Sequence, residues 1–372
     1  MKYFAEKLFD GSIMLTNQLI TTFNGCVISV DAGHANNADI CIQGLLAPAY
    51  IDVQVNGGGG KLFNNAPNLD TLNCISDAHR KYGTGSLLPT LITDNIHVMQ
   101  QAADAIASAI RAGTPGIIGV HFEGPHLSVP RRGIHPSEHI RDITDEEMRI
   151  FTRKDLGLVC VTVAPENVHL GTIEKLVSHN VIVCLGHSNA TDQQAFDALF
   201  AGATGFTHLY NAMSPLLGRQ SGMVGTALLS EDAYCGLIVD NEHVSINSCK
   251  LAVKCKTSKR LMLVTDAMSH VGSDESVLPF AGMDIQRVGN KLTLNDGTLA
   301  GSALDMQTAV QNVVNLLECP LVDALKMAST TPATFLGLGN TKGRIKKGFD
   351  AEWVVLDEGL NVIELITETT QN

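Results

Sequence analysis

The middle of the chain alternates short apolar runs with amphipathic stretches. Eight apolar runs have the length of strands: AYIDVQV (49–55), GSLLPT (85–90), GIIGVHFE (116–123), GLVCVTVAPE (157–166), VIVCLGHS (181–188), TGFTHLY (204–210), CGLIVD (235–240) and LMLVTDA (261–267). Stretches with helical periodicity separate most of them, for example 69–82, 95–112, 191–201 and 245–256. Continuously apolar strands that alternate with helices are typical of parallel sheets covered on both faces.

This pattern predicts an α/β fold, and a (β/α)8 TIM-like barrel is the economical way to close eight such units. A doubly wound open sheet is the alternative. Because no GxGxxG motif opens the first predicted helix, a dinucleotide-binding version of that alternative is disfavoured.

The two ends of the chain have a different pattern, in which short strands are joined by turns. The first 48 residues contain SIMLTNQLITTF, GCVISVDAG and DICIQGLLAP, and the other end contains GRIKKGFDAEWVVLDEGLNVIELIT. We therefore predict a small β-sandwich domain built from residues 1–48 and 339–372, and a barrel domain over residues 49–338.

The composition of the chain restricts the cellular compartment and the binding partners that we expect for the protein. The chain has 372 residues, 45% of them hydrophobic and 17% charged, so a large core is expected. The formal charge of −12 argues against nucleic acid or an anionic membrane as a partner, and it would also disfavour an anionic substrate. No apolar run reaches the ~18–20 residues of a membrane span, and the first residues lack a signal peptide's apolar segment. Nine cysteines without a CxxC motif predict free thiols and a cytoplasmic location.

Polar side chains finish most of the predicted strands at their carboxyl ends, where the active sites of barrels of this kind lie. They include Gln54, Glu123, His187, His208 and Asp266, and His243 follows the seventh strand. Imidazole and carboxylate are the expected ligands of a catalytic zinc or iron(II) ion with one position left for water. Glu123, His187 and His208 make such a set, and Asp266 is suited to take a proton from the water, so the pattern predicts a metal-assisted hydrolase.

Other polar residues have simpler interpretations. We interpret His121 as structural, although it stands two residues before Glu123. The run Gly57–Gly60 is either a phosphate cradle or a flexible loop near the site. Residues 124–139, GPHLSVPRRGIHPSEH, are expected to form a loop. Solvent exposure is expected for the following side chains: Arg131, Arg132, His139, His34, His79, His97, His169 and His179.

Several segments together resemble the N-acetylglucosamine-6-phosphate deacetylases of the amidohydrolase superfamily. They are PAYIDVQVNGGGG, SLLPTLITDN, GVHFEGPHL, RRGIHPSEH, GHSNAT, THLYNAMSPLLGR, LVTDAM and DGTLAGSALDM. The resemblance runs from about residue 45 to the end of the chain in the same order, and the flanking ends resemble the small β-domain of that family.

The resemblance implies one divalent metal ion, Zn2+ or Fe2+, on Glu123, His187 and His208. Gln54 stands where two-metal relatives have a His pair, and it would reach the metal at most through water. Asp266 corresponds to the general base and later acid of the family. His135 corresponds to the residue near the acetyl group, where it would polarise the carbonyl.

The implied substrate is N-acetyl-D-glucosamine 6-phosphate. Asn211, Ala212, Arg219 and His243 correspond to phosphate contacts, which in family dimers come partly from the neighbouring subunit, so a homodimer is expected. The alternatives are deacetylation of the galactosamine isomer and a non-catalytic, amidohydrolase-like assembly protein. Another cyclic-amide amidohydrolase lacks support because Asp52-Val53-Gln54 replaces the usual His-x-His.

Two segments depart from the family pattern. Gly218-Arg219-Gln220-Ser221-Gly222 keeps the arginine but lacks the usual proline, and Asp240-Asn241-Glu242-His243-Val244 lacks the usual glycine. The second change sets a carboxylate, Glu242, beside the expected phosphate ligand His243, which puts the identity of the sugar phosphate in question.

Overall fold

The computed structural model describes residues 1–368, which form twenty strands and ten α-helices. The strands are β1 (Lys2–Phe9), β2 (Met14–Phe23), β3 (Cys26–Ala32), β4 (Ile40–Pro48), β5 (Tyr50–Val55), β6 (Gly57–Gly58), β7 (Lys61–Leu62), β8 (Thr84–Ile92), β9 (Gly119–Glu123), β10 (Leu158–Val163), β11 (Ile182–Leu185), β12 (Gly205–Phe206), β13 (Tyr234–Leu237), β14 (Leu261–Leu263), β15 (Val277–Phe280), β16 (Met283–Val288), β17 (Lys291–Thr293), β18 (Leu299–Ser302), β19 (Glu352–Leu356) and β20 (Val362–Thr367). The helices are α1 (Leu69–Arg80), α2 (Ile96–Ala112), α3 (Asp145–Phe151), α4 (Leu170–Ser178), α5 (Asp192–Phe200), α6 (Gly222–Leu229), α7 (Ile246–Arg260), α8 (Met306–Asn315), α9 (Leu321–Ala328) and α10 (Thr330–Phe335).

Eight parallel strands form the central sheet in the order β14-β13-β12-β11-β10-β9-β8-β5. Its two edge strands meet just beyond their carboxyl ends. The N–H of Asp266 donates to the carbonyl of Gln54 over 3.0 Å, and the N–H of Asn56 donates to Ala267 over 2.9 Å. The prediction of a (β/α)8 barrel is confirmed, and the open-sheet alternative is wrong. The contacts that close the barrel lie at the rim where the candidate ligands stand.

The helices begin where their capping residues predict. Asn68, Asn95, Thr191 and Ser245 each accept a hydrogen bond from a backbone N–H in the first turn of α1, α2, α5 and α7. The main difference from the expected elements is β12, which covers only two of the seven residues in its predicted run. The chain leaves the sheet after Phe206, and His208 adopts a positive φ of 32°.

The two ends of the chain join in one six-stranded sheet, in the order β20-β19-β4-β1-β2-β3. The sheet curls until the start of β3 forms a bridge with Asp350, just before β19. It encloses a core of its own, in which Trp353 is fully buried and packs edge-on against Tyr3 at a ring distance of 5.1 Å. The small β-domain predicted from both chain ends is therefore present, and its boundaries at residues 48 and 339 stay a prediction.

A four-stranded antiparallel sheet, β15–β18, is inserted between β14 and α8. It is not among the elements predicted from the sequence. The signal was present, since residues 277–302 alternate in polarity between Gly-containing turns. Phe280 and other apolar residues of this sheet pack in one cluster with Leu62, Ile92 and Met268. The insertion therefore covers part of the carboxyl-terminal rim.

The glycine run forms a hairpin with the strand that follows it. Gly57 and Gly58 pair with Leu62 and Lys61, so neither a phosphate cradle nor a flexible loop is formed. A side chain at Gly57 would place its Cβ only 2.5 Å from the Lys61 carbonyl oxygen, which is why only glycine fits. The predicted exposure of His79 is wrong: α1 packs against the hairpin, and His79 Nε2 lies 2.9 Å from the Gly57 oxygen. Burial lowers the pKa of His79 to about 4.

Within residues 1–368, none of the helices combines the length and the apolar composition that crossing a bilayer requires.

Candidate metal centre and active site

The predicted metal ligands converge at the carboxyl-terminal rim of the barrel. Glu123 ends β9, while His187 and His208 each stand two residues beyond the end of a strand. All three side chains are buried. His187, His208 and Asp266 have positive φ angles of 46°, 32° and 51°, which are uncommon for residues other than glycine. Such backbone strain is often found at functional sites, and here it occurs at three of the candidate residues.

The donor atoms of these three residues fit a divalent metal ion. Nε2 of His208 lies 3.1 Å from Glu123 Oε1, Nε2 of His187 lies 3.4 Å from it, and the two nitrogens are 2.9 Å apart. Nδ1 of His187 lies 2.9 Å from the Arg131 carbonyl, so it donates there and leaves an unprotonated Nε2 facing the cluster. Two imidazole nitrogens this close need a proton or a cation between them, and the nitrogen and oxygen set suits a metal.

His135 also approaches Glu123 and His187, closely enough for these three residues to form a possible metal-ligand group. However, His135 Nε2 lies 3.8 Å from Glu123 Oε2, which is farther than His208 is from the same carboxylate. The Thr93 backbone N–H donates to His135 Nδ1 over 3.3 Å, which places the proton of a neutral ring on Nε2. A protonated Nε2 is a hydrogen-bond donor, so this geometry is less suited to a metal ligand than that of His208.

The charges in the site depend strongly on burial. Burial raises the pKa of Glu123, but the neighbouring side chains of His187 and His208 outweigh it and hold that pKa well below its usual range. Burial, the largest influence, holds the pKa of His135 well below its usual range, so this ring is neutral. Burial and then the nearby Glu123 carboxylate raise the pKa of Asp266, which suits a group that must both accept and release a proton.

Two amide side chains hold one oxygen of Asp266. Gln54 Nε2 donates to Asp266 Oδ1 over 3.1 Å and to Glu123 Oε1 over 2.9 Å. Asn56 Nδ2 donates to the same Asp266 oxygen over 2.7 Å. Gln54 therefore contacts two carboxylates directly, and the expectation that it reaches the metal at most through water stays a prediction. Asn56 was missed, although it follows Gln54 by two residues and so continues the same face of the strand.

A cavity of about 160 Å³ opens beside these residues. Besides the proposed ligands, its walls contain His135, Asp266, Asn56, Asn211, Ala212 and His243, together with apolar residues that include Ile92, Ile134, Met268 and Leu299. Arg219 is not among the lining residues. It lies in an exposed turn closed by Leu217 and Gln220, so within one chain the structure does not bring this predicted phosphate ligand to the site.

His243 is held by a buried carboxylate. Its Nδ1 donates to Asp240 Oδ2 over 2.6 Å, and Asp240 Oδ1 accepts the backbone N–H groups of Glu242 and His243. Burial raises the pKa of Asp240, but the hydrogen bond from His243 outweighs it and lowers that pKa overall. Asn241 has a φ of 62°, so it adopts the conformation that the family's glycine would supply. Glu242 is exposed and does not line the cavity, so its carboxylate does not lie among the residues that line the expected phosphate site.

His121 has hydrogen bonds on both ring nitrogens, as a structural residue should. Nδ1 lies 3.1 Å from the Val53 carbonyl oxygen and Nε2 lies 2.7 Å from Thr162 Oγ1. The ring is buried, and this burial lowers the pKa of His121 to about 4. His121 therefore links β9 to β10 and, across the barrel, to β5.

Comparison with known proteins identifies the family. The model of the amidohydrolase family matches residues 45–372, which is most of the chain. This chain belongs to the amidohydrolase family. The resemblance stated from the sequence motifs is confirmed, and the enzyme is a hydrolase of this family.

Similar proteins in this family are named as deacetylases. The chain is 49% identical to N-acetylgalactosamine-6-phosphate deacetylase of Shewanella sp. (strain ANA-3) over 86% of its own length and 81% of that protein. It is 34% identical to N-acetylglucosamine-6-phosphate deacetylase of Haemophilus influenzae over 86% of its own length and 84% of that protein. The crystal structure of N-acetylglucosamine-6-phosphate deacetylase from Pasteurella multocida superimposes with a TM-score of 0.95 at 32% identity, covering 100% of this chain and 99% of that one.

Proposed function

We propose that this amidohydrolase hydrolyses the acetamide of N-acetyl-D-glucosamine 6-phosphate to D-glucosamine 6-phosphate and acetate. The observation that carries the proposal is the convergence of Glu123, His187 and His208 on one side of the cavity, with Asp266 and His135 beside them. The names of the similar proteins support this class of substrate.

Glu123, His187 and His208 would hold one Zn2+ or Fe2+ ion, and such an ion lowers the pKa of a water molecule and polarises a carbonyl oxygen. Asp266 has Oδ1 occupied by two amide donors, so Oδ2 takes the proton of the attacking water and later delivers it to the departing nitrogen. His135 is neutral with its proton on Nε2, and it donates to the acetyl oxygen as negative charge develops there.

In this proposal the phosphate group binds to His243 and the Asn211–Ala212 segment, which also line the cavity. To donate from Nε2 to a phosphate oxygen while Nδ1 donates to Asp240, the His243 ring must carry both protons and hence a positive charge. The total of −12 is spread over the whole chain, whereas the proposed phosphate site presents hydrogen-bond donors, so the total does not argue against an anionic substrate.

We further propose that a second copy of the chain supplies Arg219, giving a homodimer with phosphate ligands shared across the interface. The turn that carries Arg219 also exposes Leu216 and Leu217, each about half accessible to solvent, as expected of a surface that another molecule covers. The oligomeric state tests this: a chain that stays monomeric while fully active would contradict it. All nine cysteines lie within the described residues and are free thiols, which supports a cytoplasmic location.

The galactosamine isomer is the second candidate substrate, because the relative at 49% identity is named for it. The two sugars differ only at the 4-hydroxyl. The decisive experiment measures acetate release from both purified sugar phosphates, with metal content determined on the same sample. Faster turnover of one isomer assigns the substrate. Absence of metal-dependent acetate release from both would reject the deacetylase proposal and favour a non-catalytic assembly protein.

A further inference from the structure

Asn56 lines the active-site cavity and has a buried side-chain oxygen without a hydrogen-bond partner among the described residues. Its side chain is only 1% exposed, and its Nδ2 donates to Asp266 Oδ1 over 2.7 Å. The contact with a carboxylate oxygen fixes which amide atom is the nitrogen, because an oxygen at that position would face another acceptor at 2.7 Å. Within residues 1–368 no hydrogen-bond donor reaches the remaining atom, Oδ1.

The position of this oxygen is set by the closure of the barrel. The backbone N–H of Asn56 donates to Ala267, and its carbonyl accepts the N–H of Phe63, both over 2.9 Å. Gly57 follows, at a point where a Cβ would collide with the Lys61 carbonyl oxygen. Because backbone and side chain are both held, Oδ1 cannot turn towards a partner in the protein without breaking the bond to Asp266. Leaving a buried carbonyl unpaired is costly, so such an atom beside a cavity points to a ligand donor.

The position of Asp266 indicates which substrate group could donate to Asn56 Oδ1. In the proposed reaction Asp266 Oδ2 delivers a proton to the departing nitrogen, so the acetamide nitrogen must lie next to Asp266. Asn56 is hydrogen-bonded to the same carboxylate and lines the same cavity. We propose that Asn56 Oδ1 accepts the N–H of the substrate acetamide, and that this contact orients the nitrogen lone pair, as it develops, towards Asp266. This inference rests on the proposed function and adds a substrate-binding residue that discriminates acetamides from acetate esters.

The test compares an amide with an ester in a protein that cannot turn either over. In the metal-loaded Asp266→Asn background, titration calorimetry would give the Kd of the N-acetylhexosamine 6-phosphate and of freshly prepared 2-O-acetyl hexose 6-phosphate, which lacks the N–H. Because proton transfer by Asp266 is removed, the change in the amide-to-ester ratio when Asn56 is replaced reports the contact made by the N–H. We expect the amide to bind about tenfold more tightly, and the Asn56→Ala variant to reduce that preference to about twofold or less.

Asn64→Ala is the matched control, since Asn64 is also buried near the rim but its oxygen accepts the Ile92 N–H over 3.0 Å. This control should leave the amide-to-ester ratio unchanged. An unchanged ratio in Asn56→Ala would overturn the inference. If neither sugar phosphate binds before Asn56 is changed, the proposed function itself has failed. If Asn56→Ala does not fold, the proton resonance of a 15N-labelled acetamide in the Asp266→Asn complex decides: a downfield shift on binding supports the contact, and an unshifted resonance contradicts it.

Discussion

Replacing Asp240 with asparagine should weaken phosphate binding and leave the chemical step intact. Asp240 is 7% exposed and accepts the Nδ1–H of His243 over 2.6 Å, together with two backbone N–H groups over 2.9 Å each. An asparagine oxygen can keep both backbone bonds, so the loop should hold its shape. Its NH₂ group, however, would donate to Nδ1, which leaves a neutral His243 ring with one proton on Nε2.

The size of the effect follows from the change in charge. A hydrogen bond that involves an ion is worth about 1 kcal/mol more than a neutral one, which corresponds to roughly a fivefold change in affinity. We therefore expect Asp240→Asn to raise KM for the sugar 6-phosphate about fivefold with little change in kcat. The unphosphorylated N-acetylhexosamine makes no such contact, so its kcat/KM should be unaltered.

Acetate release from both sugars provides the assay. Glu242→Ala is the matched control, because Glu242 stands two residues away with its side chain in solvent, and it should change neither parameter by more than about twofold. If Asp240→Asn impairs the phosphorylated and unphosphorylated sugars equally, Asp240 supports the fold of the loop, and the role of His243 as a phosphate ligand is refuted.

Three further predictions concern catalysis, the metal and the small β-domain. Asp266→Asn should lower kcat about 10³-fold while metal content and substrate affinity persist, and near-normal turnover would refute the assigned proton transfer. Removing the metal with a chelator should lower the thermal midpoint, and adding Zn2+ back should restore it. At 100 times Kd the metal contributes about 2.7 kcal/mol, so an unmoved midpoint would argue against a metal on the three proposed ligands. Trp353→Ala should cost about 3–5 kcal/mol of unfolding free energy in denaturant titration. Its kcat should be normal well below the melting temperature, and a large loss of kcat would mean that the small domain also shapes the active site.

Much of the barrel could be predicted from the sequence because each strand can be recognised from its own residues. A strand buried on both faces must be apolar throughout, and the eight runs satisfy this condition one by one. The ligand positions followed from a single rule, that the carboxyl ends of parallel strands meet at one rim. Glu123, His187 and His208 therefore came together as predicted, although they are far apart along the chain.

Other features depended on contacts between distant segments. His79 lies on a helix whose periodicity does not reveal that the Gly57–Gly58 hairpin covers it. Asn56 looks like an ordinary turn residue until barrel closure brings it to Asp266. Arg219 resembles a phosphate ligand in sequence, yet its side chain lies in an exposed turn outside the cavity.

The sequence by itself determined the parallel strands, the rim on which the candidate ligands lie and the residue types of the candidate metal site. Periodicity and composition indicate which side chains are buried, because each segment must carry apolar residues at the positions that face the core. Only the tertiary structure decided which atom of each side chain is left free for chemistry. Hydrogen bonds to Arg131 and Thr93 occupy Nδ1 of His187 and of His135, so Nε2 of each ring is the nitrogen left free. The amides of Gln54 and Asn56 occupy Oδ1 of Asp266, so Oδ2 is its only free oxygen. Hydrogen-bond partners from distant segments settle such choices, because a donor or acceptor already occupied cannot take part in the reaction.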